Sequence, residues 1–170
     1  MSEKVAKGIR DHSGFWNHGH TYQAHPISCA ASLAVQKVIH DEDLLTSCRI
    51  QGAKLSQLLR ERLLSPNSLV APFVFDIRGA GLFWAVEFDF TSQEASAYDF
   101  KAQKFAMLVQ AKCIENGLII MGMTGGANLE GTEGDHIILA PAYNITDTEV
   151  EKIVDGLVKS IDEVLTGARV

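Results

Sequence analysis

A chain of 170 residues, 46% apolar and 21% charged, belongs to the globular class and can bury a core as one domain or as a small domain with an extension. Its net charge of −6 is uneven: residues 1–112 carry twelve Lys/Arg against eleven Asp/Glu, and residues 113–170 carry three against ten, which argues against a nucleic-acid surface. No run approaches the roughly eighteen apolar residues of a membrane span. The opening MSEKVAKGIRDHSG has no apolar core with a small-residue cleavage site, so the expected location is cytoplasmic.

In chain order, the first notable stretch is FWNHGHTYQAHPISCAA, residues 15–31, which sets histidines, Thr21 and Tyr22 just ahead of Pro26. Proline suits the first turn of a helix, and Ile27, Ala30, Ala31, Ala34, Val35 and Val38 recur at helical spacing, so a helix is expected over 26–39. The run His40-Asp41-Glu42-Asp43 interrupts that pattern. A second helix to about residue 64 should bury Leu44, Leu45, Cys48, Leu55, Leu58, Leu59 and Leu63, with Gly52 marking a close approach inside it.

After Ser65-Pro66-Asn67-Ser68, strands are expected at 74–78 and 82–88, joined by a tight turn or bulge at Gly79-Ala80-Gly81. Residues 95–116 return to helical periodicity, and Gly117 is placed to cap that helix before a strand at 118–121. Residues 122–135 hold five glycines and read as a flexible loop, followed by a strand at 137–140 ended by Pro141. Thr146 and Glu149 form a capping-box pattern opening a last helix through Val150, Ile153, Leu157, Ile161 and Val164. The fold class is α/β, α+β-like: a three- to four-stranded mixed or antiparallel sheet packed with helices and preceded by a long helical segment.

Few patterns carry chemistry by themselves. His12, His18, His20 and His25 lack a carboxylate or cysteine to complete a ligand set, so no metal is expected there. The odd, scattered Cys29, Cys48 and Cys113 read as reduced, mostly buried thiols. Asp135-His136 with Tyr143 suggests an acid/base group, but His136 is expected to cap the strand or face solvent. The glycine-rich loop lacks the Gly-Lys-Ser/Thr ending of a nucleotide loop, and neither a serine nucleophile elbow nor Cys-x-x-Cys is present. No catalytic residue is assigned. The Thr21 hydroxyl, ahead of a helix start, either takes a phosphate oxygen or stabilises its own loop.

FWNHGHTYQAHPISCAASL at residues 15–33 closely resembles the fold-type I, class III pyridoxal-phosphate aminotransferases. The resemblance continues through Asp76-Ile77-Arg78-Gly79-Ala80-Gly81-Leu82, then Glu87-Phe88, and Gly134-Asp135-His136-Ile137-Ile138-Leu139-Ala140-Pro141, and so covers the whole chain in order. It implies that the chain is the C-terminal segment of such an enzyme. Residues 1–40 would be a remnant of the large domain, with the phosphate-binding loop and a helix, and residues 41–170 the helical connection and small domain. It also implies that Thr21 binds the cofactor phosphate of the neighbouring subunit in a homodimer. His20 and Tyr22 would lie beside it as cofactor-binding residues, and Arg78 with its glycines would shape a turn near the active-site entrance.

Two departures follow from the same resemblance. The family's Schiff-base lysine, the aspartate facing the pyridine nitrogen and the stacking aromatic lie upstream of the threonine, whereas here only Lys4 and Lys7 precede Thr21. The isolated chain is therefore expected to bind pyridoxal phosphate weakly and to be inactive, in a family that moves amino groups between amines or ω-amino acids and 2-oxo acids or aldehydes. Members acting on α-carboxylates often have an arginine about where Ile138 stands; no arginine occurs between Arg78 and Arg169, which points to an amine or ω-amino-acid substrate. The alternative is a free-standing, non-catalytic small-domain protein acting by self-association or partner binding.

Overall fold

The computed structural model describes residues 2–15, 19, 21 and 23–170. Contacts divide the chain into a unit of residues 1–40 and a unit of residues 41–170.

The first unit holds two helices, α1 (Glu3–Asp11) and α2 (Pro26–Asp41, its last residue counted with the second unit). Proline stands at the first position of α2, as expected. None of the described residues of this unit is buried, although Ile27, Leu33, Val35 and Val38 are apolar.

The second unit begins with α3 (Leu44–Leu63), whose Gly52, Leu55, Leu59 and Leu63 recur at helical spacing and are buried. Leu45, expected inside, is exposed in the first turn, two turns ahead of Gly52. Strands β1 (Val74–Ala80) and β2 (Phe83–Phe88) form a hairpin closed by the pair Ala80–Phe83. Gly81 sits at the first loop position with φ +55°, the left-handed conformation that two-residue hairpin loops need. Its neighbour Gly52 is equally constrained: a Cβ there would lie 1.9 Å from the Gly81 carbonyl oxygen, so helix and hairpin meet backbone to backbone.

Helix α4 (Phe105–Glu115) is shorter than the expected 95–116. Residues 93–97 form a single 3₁₀ turn, Lys101 and Ala102 have positive φ, and the Asp99 carboxylate accepts from the Lys101 amide. Tertiary stacking overrides the helical periodicity here, because Phe90 packs against Phe73, Phe100 and Phe105 at centroid distances of 4.4, 4.9 and 4.7 Å. Gly117, at φ +80°, ends α4 as expected: its amide donates to Ile114, and that of Leu118 to Cys113, which closes a Schellman motif.

Strand β3 (Met121–Met123) starts three residues later than expected, and β4 (Asp135–Leu139) starts two residues earlier. Helix α5 (Asp147–Ala168) opens on the expected Thr146–Glu149 capping box. Its buried stripe is Val150, Val154, Leu157, Ile161 and Leu165, so Ile153 and Val164 flank the core rather than centre it.

The four strands run in the order β1-β2-β4-β3, every pair antiparallel, which settles the sheet as antiparallel. One face carries Ile77, Val86, Phe88, Ile137 and Leu139 into a core shared with α3, α4 and α5. Pairing rows on the other face run Arg78–Ala85–Ile138–Met121 and Asp76–Glu87–His136–Met123. The three cysteines are free. Cys113 is buried and Cys48 half-buried, whereas Cys29 is exposed on α2, against the expectation of mostly buried thiols. Among the described residues no helix is long and apolar enough to cross a membrane.

Candidate functional site

In the first unit, Thr21 is exposed in the turn that leads to α2. Ala24, at φ +59°, redirects the chain, and the His25 carbonyl accepts the Cys29 amide as the helix begins. A shallow groove of about 520 Å³ runs along the start of α2, lined by Gln23, His25, Cys29, Ser32, Leu33 and Gln36 among others. The two companions proposed for Thr21, His20 and Tyr22, lie outside the described residues, as do Trp16 and His18. Among the described residues no group of three or more His, Cys, Asp and Glu side chains could hold a metal ion.

In the second unit the motif residues have identifiable work. Arg78 lies on β1 rather than in the turn, and its guanidinium meets Glu87 at 2.6 Å and Asp76 at 3.2 Å. The hydrogen bond to Glu87, ahead of the other contacts, raises its pKa further, so its charge is permanent. The turn itself is shaped by Gly81, whose carbonyl accepts the Trp84 indole N–H at 2.7 Å. Arg78 thus links β1 to β2, a positioning task, while the glycines make the close approach to α3.

Asp135 proves to be a helix cap. Its carboxylate accepts the Ala106 amide at 3.1 Å and the Thr124 hydroxyl at 2.9 Å, so it caps the start of α4 from the neighbouring strand. This role was missed in the sequence. The available signal was negative: α4 starts after Lys104, which offers no side-chain acceptor for the first free amides. His136 stands half-buried at the second position of β4, its Nδ1 2.7 Å from the carbonyl of Gly134 just ahead of the strand.

A family model described as Aminotransferase class-III matches residues 2–161. The chain belongs to the class-III aminotransferase family. An aminotransferase of Gibberella zeae is 32% identical over 161 residues, 95% of this chain and 30% of that protein. An uncharacterized aminotransferase of Schizosaccharomyces pombe is 36% identical over 143 residues, 83% of this chain and 29% of that protein. A solved transaminase from a study of directed evolution by ancestral reconstruction superposes with a TM-score of 0.70 at 33% identity, over 98% of this chain and 34% of its own. The chain therefore spans about 30% of the length of the curated relatives it matches. Class-III aminotransferases depend on pyridoxal phosphate, and family members are typically dimers acting on amines or amino acids.

Of the residues expected to meet that cofactor, only Thr21 lies among the described residues. Thr21 offers an exposed hydroxyl to a phosphate. Lys4 and Lys7, the lysines that precede it, are exposed on α1.

Proposed function

We propose that this chain is the C-terminal part of a pyridoxal-phosphate-dependent aminotransferase. In the complete enzyme it would contribute Thr21, with His20 and Tyr22, to the phosphate end of the cofactor across the interface of a cytoplasmic homodimer. Residues 1–40 are read as part of the large, cofactor-binding domain, and residues 41–170 as the connection and small domain. The whole enzyme would move an amino group from an amine or ω-amino acid to a 2-oxo acid or aldehyde. By itself the chain is read as inactive and only weakly attracted to the cofactor.

The observation that carries this reading is a match over residues 2–161 of this chain to about 30% of each relative. Helix α2 adds support. It is apolar around much of its circumference yet buries no residue, the pattern of a helix made to sit inside a larger core. The substrate class is inferred from Ile138, where α-carboxylate-binding relatives are expected to place an arginine; its row neighbours Ala85 and Met121 are apolar, and Arg78 at the far end of the row is paired with Glu87 and Asp76. Phe83, Met121 and Met123 are exposed on the second unit, which favours self-association of a free-standing small domain as the second reading.

The test is to add pyridoxal phosphate to the purified chain, record the visible spectrum, reduce with borohydride and map the peptides. The expected result is no stoichiometric lysine adduct and no amino transfer. A single modified lysine in a chain that transfers amino groups would overturn the reading. Light scattering separates the second reading, since a well-behaved monomer counts against self-association.

A further inference from the structure

The outer sheet face ends, at the β3 edge, in three soft or borderline donors, and the aminotransferase reading uses only one of them, Met121, and that one only as apolar surface beside Ile138. Met121 and Met123 are two residues apart on β3, and between them Gly122 is buried against α4, where a Cβ would lie 2.4 Å from the Ala106 carbonyl oxygen. The strand is therefore pinned with both methionines turned outward, 55% and 43% exposed. Met123 pairs directly with His136, and Met121 with Ile138, the next outward residue of β4. Directly opposed side chains start about 5 Å apart at Cβ, and alternate residues of one strand about 7 Å apart, a span that two unbranched methionines can close.

The imidazole is prepared in the same way. The Gly134 carbonyl can only accept, so the 2.7 Å contact at Nδ1 selects, in the neutral ring, the tautomer whose Nε2 carries the lone pair. Glu87 stands opposite His136 on β2 and Asp76 next to it on β1. With Arg78 between them, these groups leave one net negative charge along the row.

We propose that Met121, Met123 and His136 form a binding site for a soft monovalent metal ion, with the chemistry of Cu(I), on the outer face of the sheet. Two thioethers and one imidazole make a neutral, three-donor set that suits Cu(I) and disfavours hard divalent cations, which seek oxygen ligands. The His/Cys/Asp/Glu clusters that hold harder metals are absent among the described residues, so this site depends on its sulfurs.

The test uses the full chain carrying C29S and C48S, which removes the exposed and half-buried thiols. Anaerobic titration with Cu(I) against a bicinchoninate competitor is expected to give one ion per chain. M121L/M123L keeps the apolar surface and removes both sulfurs, and H136Q removes the nitrogen. Each should weaken binding by more than the ~10–100-fold that loss of an outer-shell partner costs. Unchanged affinity in folded M121L/M123L, or no competition with bicinchoninate at all, overturns the site. If H136Q fails to fold, Ag(I) added to methyl-labelled protein decides. The proposal requires the Met121 and Met123 methyl resonances to shift while that of Met107 stays, and a uniform or absent response contradicts it.

Discussion

The two units of this chain contain similar apolar residues and use them in opposite ways. In residues 41–170, Leu55, Leu59 and Leu63 are sealed into a core with Val86, Ile137 and Leu157. In residues 1–40, Ile27, Leu33, Val35 and Val38 recur along α2 and none is buried. The lesson is that helical periodicity reports which residues need cover, not whether this stretch of chain provides it. A unit with its own core can fold alone, whereas a helix without one is marginal in water and takes its stability from packing. Thr21, the residue on which the cofactor reading rests, belongs to the second kind of unit.

The largest contrast should come from truncating leucines. Leu59→Ala, at a fully buried position, is expected to cost about 2–5 kcal/mol in chemical denaturation. Leu33→Ala, at a position 73% exposed, should change stability by no more than ~0.5 kcal/mol. Comparable losses at the two sites would break the comparison, because they would give α2 a core of its own.

A second contrast inserts one methyl group twice. At Gly52 the new Cβ meets backbone at 1.9 Å, so Gly52→Ala should destabilise by the ~1–3 kcal/mol of overpacking or more, despite the helix preference for alanine. At Gly8 in α1 nothing lies within 4 Å, so Gly8→Ala should raise helical circular dichroism, following a propensity gain of about 1 kcal/mol. Opposite signs from the same substitution would sharpen the distinction, and like signs would erase it.

The smallest effect concerns the α5 cap. Thr146→Ala should cost about 1 kcal/mol near neutral pH. The Thr146 side chain, followed by its backbone amide, holds the Glu149 carboxyl below its ordinary value of 4.5. A lowered carboxylate contributes stability above its unfolded pKa and loses it as pH falls through the folded one. The gap between wild type and T146A should therefore be full at neutral pH and shrink below about pH 4.5 in pH-resolved thermal melts. A gap that is constant with pH would show that Glu149 takes no part.

What the sequence revealed, and what it hid, follows the range of the interactions. The Gly117 cap, the Thr146–Glu149 box and the Pro26 start were legible because each is local chemistry within a few residues. The short α4 was not, since its lost turns answer to Phe73 and Phe90 rather than to their own periodicity. Asp135 was hidden for the same reason: it caps a helix that begins thirty residues earlier in the chain. At the candidate site the motif around Thr21 was legible as a family resemblance, and Gly52 as a close approach. The pairing of Arg78 with Glu87 depended on hairpin register, which the motif did not state.

Hydrogen exchange measured residue by residue tests the central contrast most directly. Amides of α3, β2, β4 and α5 are expected to exchange only through global unfolding, and those of α1 and α2 through local opening with little protection. Protection in α2 equal to that in α5, in the isolated chain, would show that residues 1–40 are already covered and would contradict the account.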